Sequence, residues 1–202
     1  TINYGYGDTL GFWESNTNLW KAFALEAKLK QAGYTVKMNR RASGGANDRS
    51  LSSIRTEAEN SGASYFISIH SNAGPEGVVG GGSGNFANYP VMLYRGYTGS
   101  PTVANSDKIA KASVARLYEI FYTKPADPTG GGGPEFTTYY SPSNPDVLGC
   151  MSFYGYNLGV IPSWGPAGFL AEGYFHTYSP ARHRALNPDW CRQEGVRYAR
   201  GV

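Results

Sequence analysis

The sequence predicts an α/β fold: a single domain built on a twisted, mostly parallel sheet flanked by helices on both faces. Three observations point to it. Helix-period and strand-period segments alternate with short connections, the pattern of βαβ units. The apolar run Tyr65-Phe66-Ile67-Ser68-Ile69 empties into His70-Ser71-Asn72, and the edge where buried strands open into loops is where an α/β sheet carries its chemistry. A second apolar run, Ala167-Gly168-Phe169-Leu170-Ala171, leads straight into Glu172.

Ser15-Asn16-Thr17-Asn18 offers N-cap side chains to a first helix whose apolar positions, Ala22, Leu25, Leu29 and Ala32, recur three and four apart. Gly33 ends it as a C′ residue. Tyr34 to Met38 reads as a strand. Asp48 caps a second helix carrying Leu51, Ile54 and Ala58, which Gly62 stops. The strand ending at His70 follows, then a glycine-rich loop from Gly74 to Gly84, a strand from Pro90 to Tyr94, and a helix bearing Ala110, Val114, Leu117 and Phe121. Residues 123–154 include Gly130 to Gly133 and five prolines. A stretch longer than about 15 residues without structure of its own is usually functional or disordered, so it reads as a substrate-groove insertion. The strand bearing Glu172 and a helix from Pro188 to Arg200 complete the domain.

The chain has 202 residues, 41% of them apolar and 14% aromatic, enough for a sizeable core and within the roughly 250 residues of one domain. Residues 1–202 are read as that one domain. Its 27 glycines and 16 tyrosines, against 16% charged residues, describe a loop-rich surface that meets ligands through rings and amides. The net charge of +3 is scattered, with no basic stripe to track phosphates, so nucleic acid is not an expected partner. The mild positive balance suits an anionic polymer and equally an ordinary solvated surface. Cys150 and Cys191 form either one disulfide or two unpaired buried thiols. No apolar stretch approaches the ~20 residues of a membrane span. Thr1 at the first position is read as processing or trimming, with an export signal expected among the residues ahead of it.

A catalytic zinc takes three protein ligands from His, Glu, Asp or Cys and keeps a fourth position open. His70, at a strand end, is the leading candidate ligand; a hydrogen-bonded structural histidine is the other reading. Glu172 sits where both faces of a strand should be buried, a costly place for a carboxylate without a partner. It suits a general base whose pKa burial lifts toward working pH, or an ion pair with Arg41 or Arg55. Glu14, before the first helix, is favoured there by the helix dipole whatever else it does. His183, among arginines, reads as exposed, and Arg40, Arg41 and Arg55 as structural ion-pair partners.

Glu14-Ser15-Asn16-Thr17-Asn18-Leu19, Gly33-Tyr34-Thr35-Val36, Arg40-Arg41, Leu51 with Arg55, Ser68-Ile69-His70-Ser71-Asn72-Ala73, Leu158-Gly159-Val160 and Phe169-Leu170-Ala171-Glu172-Gly173-Tyr174-Phe175 follow one another in this order. In that order and spacing the chain resembles the zinc-dependent N-acetylmuramoyl-L-alanine amidases of the amidase 3 type. The resemblance implies Zn2+ as cofactor, Glu14 and His70 as ligands, and Glu172 as the carboxylate assisting the attacking water. Asn72, within the histidine motif, and His176, four residues past Glu172, are candidates for substrate contact. The family's first histidine ligand, in a strand-end motif ahead of the Glu14 position, has no counterpart in this sequence. Either that strand and histidine precede Thr1, or the ligand has been lost. The expected function is hydrolysis of the amide between N-acetylmuramic acid and L-alanine in peptidoglycan, by a monomer outside the cytoplasm. A cell-wall binding module with a degenerate zinc site is the alternative, and a glycosidase using Glu14 and Glu172 a third.

Overall fold

The computed structural model describes residues 13–43, 47–72, 90–95, 104–121, 150–151, 159–176 and 179–202. Within them lie helices α1 (Glu14–Gln31), α2 (Leu51–Glu59), α3 (Ser106–Phe121), α4 (Ser179–Ala185) and α5 (Pro188–Arg200). The strands are β1 (Tyr65–Asn72), β2 (Val91–Tyr94), β3 (Cys150–Met151) and β4 (Ala167–Phe175). They form one sheet in the order β1-β4-β2-β3. The pairs β1/β4 and β2/β3 are parallel, and β2 runs antiparallel to β4. The α/β expectation therefore holds, with an antiparallel contact inside a sheet whose other pairings are parallel.

Alternation along β1 and β4 sorts the two faces. Ile67, Ile69, Phe169 and Ala171 pack with α1, α3 and α5 through Leu25, Ile109, Ala110, Val114, Leu117, Trp190 and Tyr198. Phe66 and Leu170 face the other way, against Val160, Ile161 and Ile54 of α2. Helices thus cover both faces, which lets β4 read as an almost unbroken apolar run.

Several local expectations shift. α1 begins at Glu14 rather than after the Ser15–Asn18 cluster, and Trp13 at its N-cap provides no side-chain cap. Its other end is a Schellman turn: Gly33, at φ +90°, donates to the Lys30 carbonyl at 3.0 Å, and Tyr34 to that of Leu29 at 3.1 Å. The cap of α2 is Ser50, whose Oγ accepts from the Ser53 N–H at 3.2 Å, not Asp48. Among the described residues, 34–38 join no strand ladder. Tyr34 instead sets its ring edge-on to Tyr65 at the start of β1, 6.4 Å between centroids. Cys191 is buried and unpaired, its Sγ 3.2 Å from the Ala185 carbonyl. Of the predicted insertion at 123–154 only β3 is among the described residues, and the glycine-rich loop at 74–84 lies outside them.

The largest departure is on α1. Ala32 is exposed, and the buried stripe is Thr17, Asn18, Lys21, Leu25 and Glu26, mostly polar. Lys21 and Glu194 of α5 are both fully buried, Nζ to Oε1 2.8 Å. The Tyr198 hydroxyl donates to the same Glu194 oxygen, and Lys21 Nζ lies 4.3 Å from the centre of the Tyr174 ring. Burial opposes the ammonium charge, but Glu194 outweighs it and raises the pKa of Lys21. Two glycines admit the pair. A Cβ on Gly195 would stand 2.1 Å from the Lys21 carbonyl, so glycine lets α5 close onto α1. A Cβ on Gly173 would stand 1.9 Å from Glu194 Oε1, so glycine leaves β4 room for that carboxylate.

Removing one partner of such a pair strands a buried charge, at a cost of about 3–5 kcal/mol, whereas an apolar replacement of both is often close to neutral. Lys21→Met is therefore expected to lower stability in urea unfolding by about that amount, and Lys21→Met with Glu194→Leu to recover most of it.

Candidate active site

Parallel pairing sets His70 of β1 directly beside Glu172 of β4. Side chains at paired positions of parallel strands share a face, so imidazole and carboxylate lie together toward the carboxyl ends of the two strands. Glu172 is the one residue of β4 that is not fully buried, yet its Oε2 is inaccessible and has no hydrogen-bond partner among the described residues.

α1 delivers the third group. Glu14 occupies its first turn, where the helix dipole favours a carboxylate. One oxygen, Oε1, accepts from the Ser71 N–H at 2.9 Å and from Asn18 Nδ2 at 3.1 Å, and lies 3.3 Å from His70 Nδ1. The His70 side chain is 40% exposed, so the cluster opens to solvent on its histidine side.

These surroundings pull the two carboxylates apart. Burial alone would raise the pKa of Glu14, but the hydrogen bond and charge of His70, with the Ser71 N–H, outweigh it and bring it down to about 2. Burial raises Glu172 to about 7, with His70 and Lys21 pulling against the rise and Glu14 adding to it. For His70, burial would lower the pKa, yet its bond to Glu14 and the charges of Glu172 and Glu14 raise it. One carboxylate is a standing anion and its neighbour a proton acceptor near neutrality, the division of roles that acid–base catalysis needs.

Of the other expected residues, Asn72 ends β1 and is half-buried, its carbonyl accepting from the His176 N–H at 2.8 Å. His176 is only 2% exposed and directs Nδ1 to Ser71 Oγ at 3.0 Å. His183 is exposed, as expected. The ion-pair reading of Glu172 does not hold: Arg41 bonds Glu26 at 3.2 Å and Arg55 lies 3.9 Å from Glu59. Arg40 binds backbone instead of a carboxylate, donating to the Ser15 carbonyl at 2.9 Å. Sequence reasoning missed Ser71 and Lys21. Ser71 contributes through its backbone N–H, which leaves no trace in residue type. Lys21 had one available signal, its place at helical spacing from Asn18 and Leu25.

The pair Glu14 and His70 suits a metal. Two ligands of a tetrahedral zinc with bonds of 2.0–2.1 Å stand about 3.3 Å apart, and Glu14 Oε1 and His70 Nδ1 are separated by 3.3 Å. One carboxylate and one imidazole also match zinc's ligand preference. No group of three potential ligands occurs among the described residues.

A depressed carboxylate, an imidazole and a raised carboxylate thus lie together toward the carboxyl ends of two parallel strands. The chain belongs to the amidase 3 family of N-acetylmuramoyl-L-alanine amidases, whose family model matches residues 3–124, more than half of its length. Membership places it among the amidases of the cell-wall polymer peptidoglycan. Its fold is that of the N-acetylmuramoyl-L-alanine amidase from Clostridium difficile 630, with a TM-score of 0.67 at 21% identity over 94% of this chain and 82% of that one. AmiC2 of Nostoc punctiforme, also an N-acetylmuramoyl-L-alanine amidase, matches with a TM-score of 0.67 at 18% identity over 100% of this chain and 86% of its own. Cwp6 from Clostridium difficile matches at 0.67 and 18% over the whole of this chain, which spans only 26% of that protein. No curated protein matches the sequence. No helix among the described residues is long and apolar enough to cross a membrane.

Glu172 carries a testable sign. Its folded pKa of about 7 lies above the roughly 4.3 of an unfolded glutamate, so ionising it inside the protein costs stability increasingly as pH rises between those values. In metal-free protein, Glu172→Gln is expected to raise the melting temperature at pH 8, with a smaller gain at pH 5. An equal gain at both, or a loss at pH 8, would contradict the burial of an uncompensated carboxylate.

Proposed function

We propose that this protein hydrolyses the amide joining the lactyl group of N-acetylmuramic acid to L-alanine in peptidoglycan, outside the cytoplasm, with zinc held by Glu14 and His70. The observation that carries the reading is the 3.3 Å approach of Glu14 Oε1 to His70 Nδ1 beside a buried carboxylate, Glu172, whose Oε2 has no hydrogen-bond partner among the described residues. The third ligand comes from outside those residues. When bound, zinc supplies Lewis acidity, polarising the scissile carbonyl and easing loss of a proton from the attacking water.

The remaining work belongs to the chain. Glu172, near neutrality in its pKa, accepts the proton of the water and returns it to the departing amine of L-alanine. Glu14 stays ionised throughout, since it would take a pH near 2 to protonate it, and its negative charge balances a cation beside it. The Ser71 N–H and Asn18 fix the direction of that carboxylate. Asn72, at the mouth formed by the end of β1, is the side chain proposed to meet the substrate.

The test is digestion of purified sacculi with the zinc-supplemented chain. Expected products are stem peptides with a free L-alanine amino terminus and glycan strands with no new reducing ends. Glu172→Gln should reduce turnover by about 10²–10⁴-fold, the usual contribution of a general base, and chelation should abolish it until zinc is restored. Binding to sacculi without hydrolysis at any zinc concentration would favour the binding-module reading. New reducing ends, indifferent to chelators, would favour a glycosidase.

A further inference from the structure

Beneath Glu14 and His70 lies a buried polar cluster that the proposed chemistry does not use. The ladder between β1 and β4 shifts register after His70. His70 pairs with Glu172 and Asn72 with Phe175, so β4 takes three residues where β1 takes two. Such a bulge re-aims the residues around it and persists only where something holds it. Ser71, at its centre, is 5% exposed. Its N–H donates to Glu14 Oε1 at 2.9 Å, and its Oγ is hydrogen-bonded to His176 Nδ1 at 3.0 Å.

His176 is held on both sides of its own peptide. Its N–H donates to the Asn72 carbonyl at 2.8 Å, and its carbonyl accepts from a guanidinium nitrogen of Arg182, on α4, at 2.9 Å. His176 and Arg182 are each only 2% exposed. The hydrogen bonds run without interruption from α4 through the end of β4 to the bulge, and from the bulge to the carboxylate beside His70.

We propose that Ser71, His176 and Arg182 form a clamp that positions the active site, holding the bulge so that the Ser71 N–H and the His70 imidazole converge on one oxygen of Glu14. His176 is then a positioning residue rather than a substrate contact. The inference rests on the reading of Glu14 and His70 as the working pair. Groups behind metal ligands that fix their direction typically change metal affinity by 10–100-fold when removed.

The Ser71 amide proton provides a readout independent of metal and of activity, because a bond to a carboxylate moves its resonance downfield and protects it from exchange. In the metal-free full chain, Ser71→Ala and His176→Leu should move that resonance upfield and speed its exchange at least tenfold, while amides of α3 keep their protection. His176→Asn, which returns a polar atom near the Nδ1 position, should restore both. Zinc affinity by chelator competition should fall about 10–100-fold in the first two variants and recover in the third. Unchanged exchange of the amide at position 71 in Ser71→Ala overturns the clamp, even if His176→Leu fails to fold. So does a loss of protection spread evenly over the chain. If the wild type binds no zinc, the functional reading fails, while the amide measurements still decide the clamp.

Discussion

The register of β1 against β4 is the constraint on which the rest depends. Side chains alternate along a strand, so a slip of one residue would turn His70 and Glu172 to opposite sides and carry the apolar set of the slipped strand, Ile67 and Ile69 or Phe169 and Ala171, out of the core. The apolar pattern that builds the core is therefore the same one that aligns the site. Burial on both faces makes that register expensive to leave, and the strongest force in the fold acts on the geometry of its chemistry.

Glu14 is joined to this frame from a different element. It enters on the first turn of α1, and α1 is anchored about two turns further along, by Lys21 to Glu194 and by the close approach at Gly195. A helix fixed at its middle presents its first turn with little freedom, and the Ser71 N–H takes up what remains. The cluster of Glu14, His70 and Glu172 is thus the meeting point of a strand pair held by apolar packing and a helix held by a buried charge.

What the sequence disclosed follows the same division. Apolar spacing placed α3, and continuous apolar runs placed β1 and β4, because burial of apolar side chains leaves its pattern in the chain. Motif order then singled out Glu14, His70 and Glu172, which the fold brings together. The polar stripe of α1 was illegible since lysine and glutamate ordinarily mark a solvated face, and only the partner helix shows that Lys21 and Glu194 neutralise each other. The strand expected at residues 34–38 forms no ladder among the described residues: apolar and β-branched residues encode a preference, whereas a strand also requires a neighbour with matching hydrogen-bonding groups. The contribution of Ser71 was invisible in principle, being a backbone N–H aimed by a bulge.

Two buried carboxylates in this fold are treated in opposite ways, and the contrast separates structure from function. Glu194 is met by an ammonium at 2.8 Å and by the Tyr198 hydroxyl, and glycine at 173 keeps space for it. Glu172 lies one residue away on β4, yet Oε2 has no hydrogen-bond partner among the described residues, and its carboxyl is raised to about 7. The carboxylate beside Gly173 is matched by an ammonium, whereas at Glu172 the charges of His70 and Lys21 only partly offset burial, and Arg41 and Arg55 are committed to other glutamates. Satisfying Glu172 would stabilise the protein and, by lowering its pKa, weaken it as a proton acceptor near neutral pH. Strain of this kind persists at working sites because activity depends on it. On the proposed reading, Glu172 is the group that takes the proton from water.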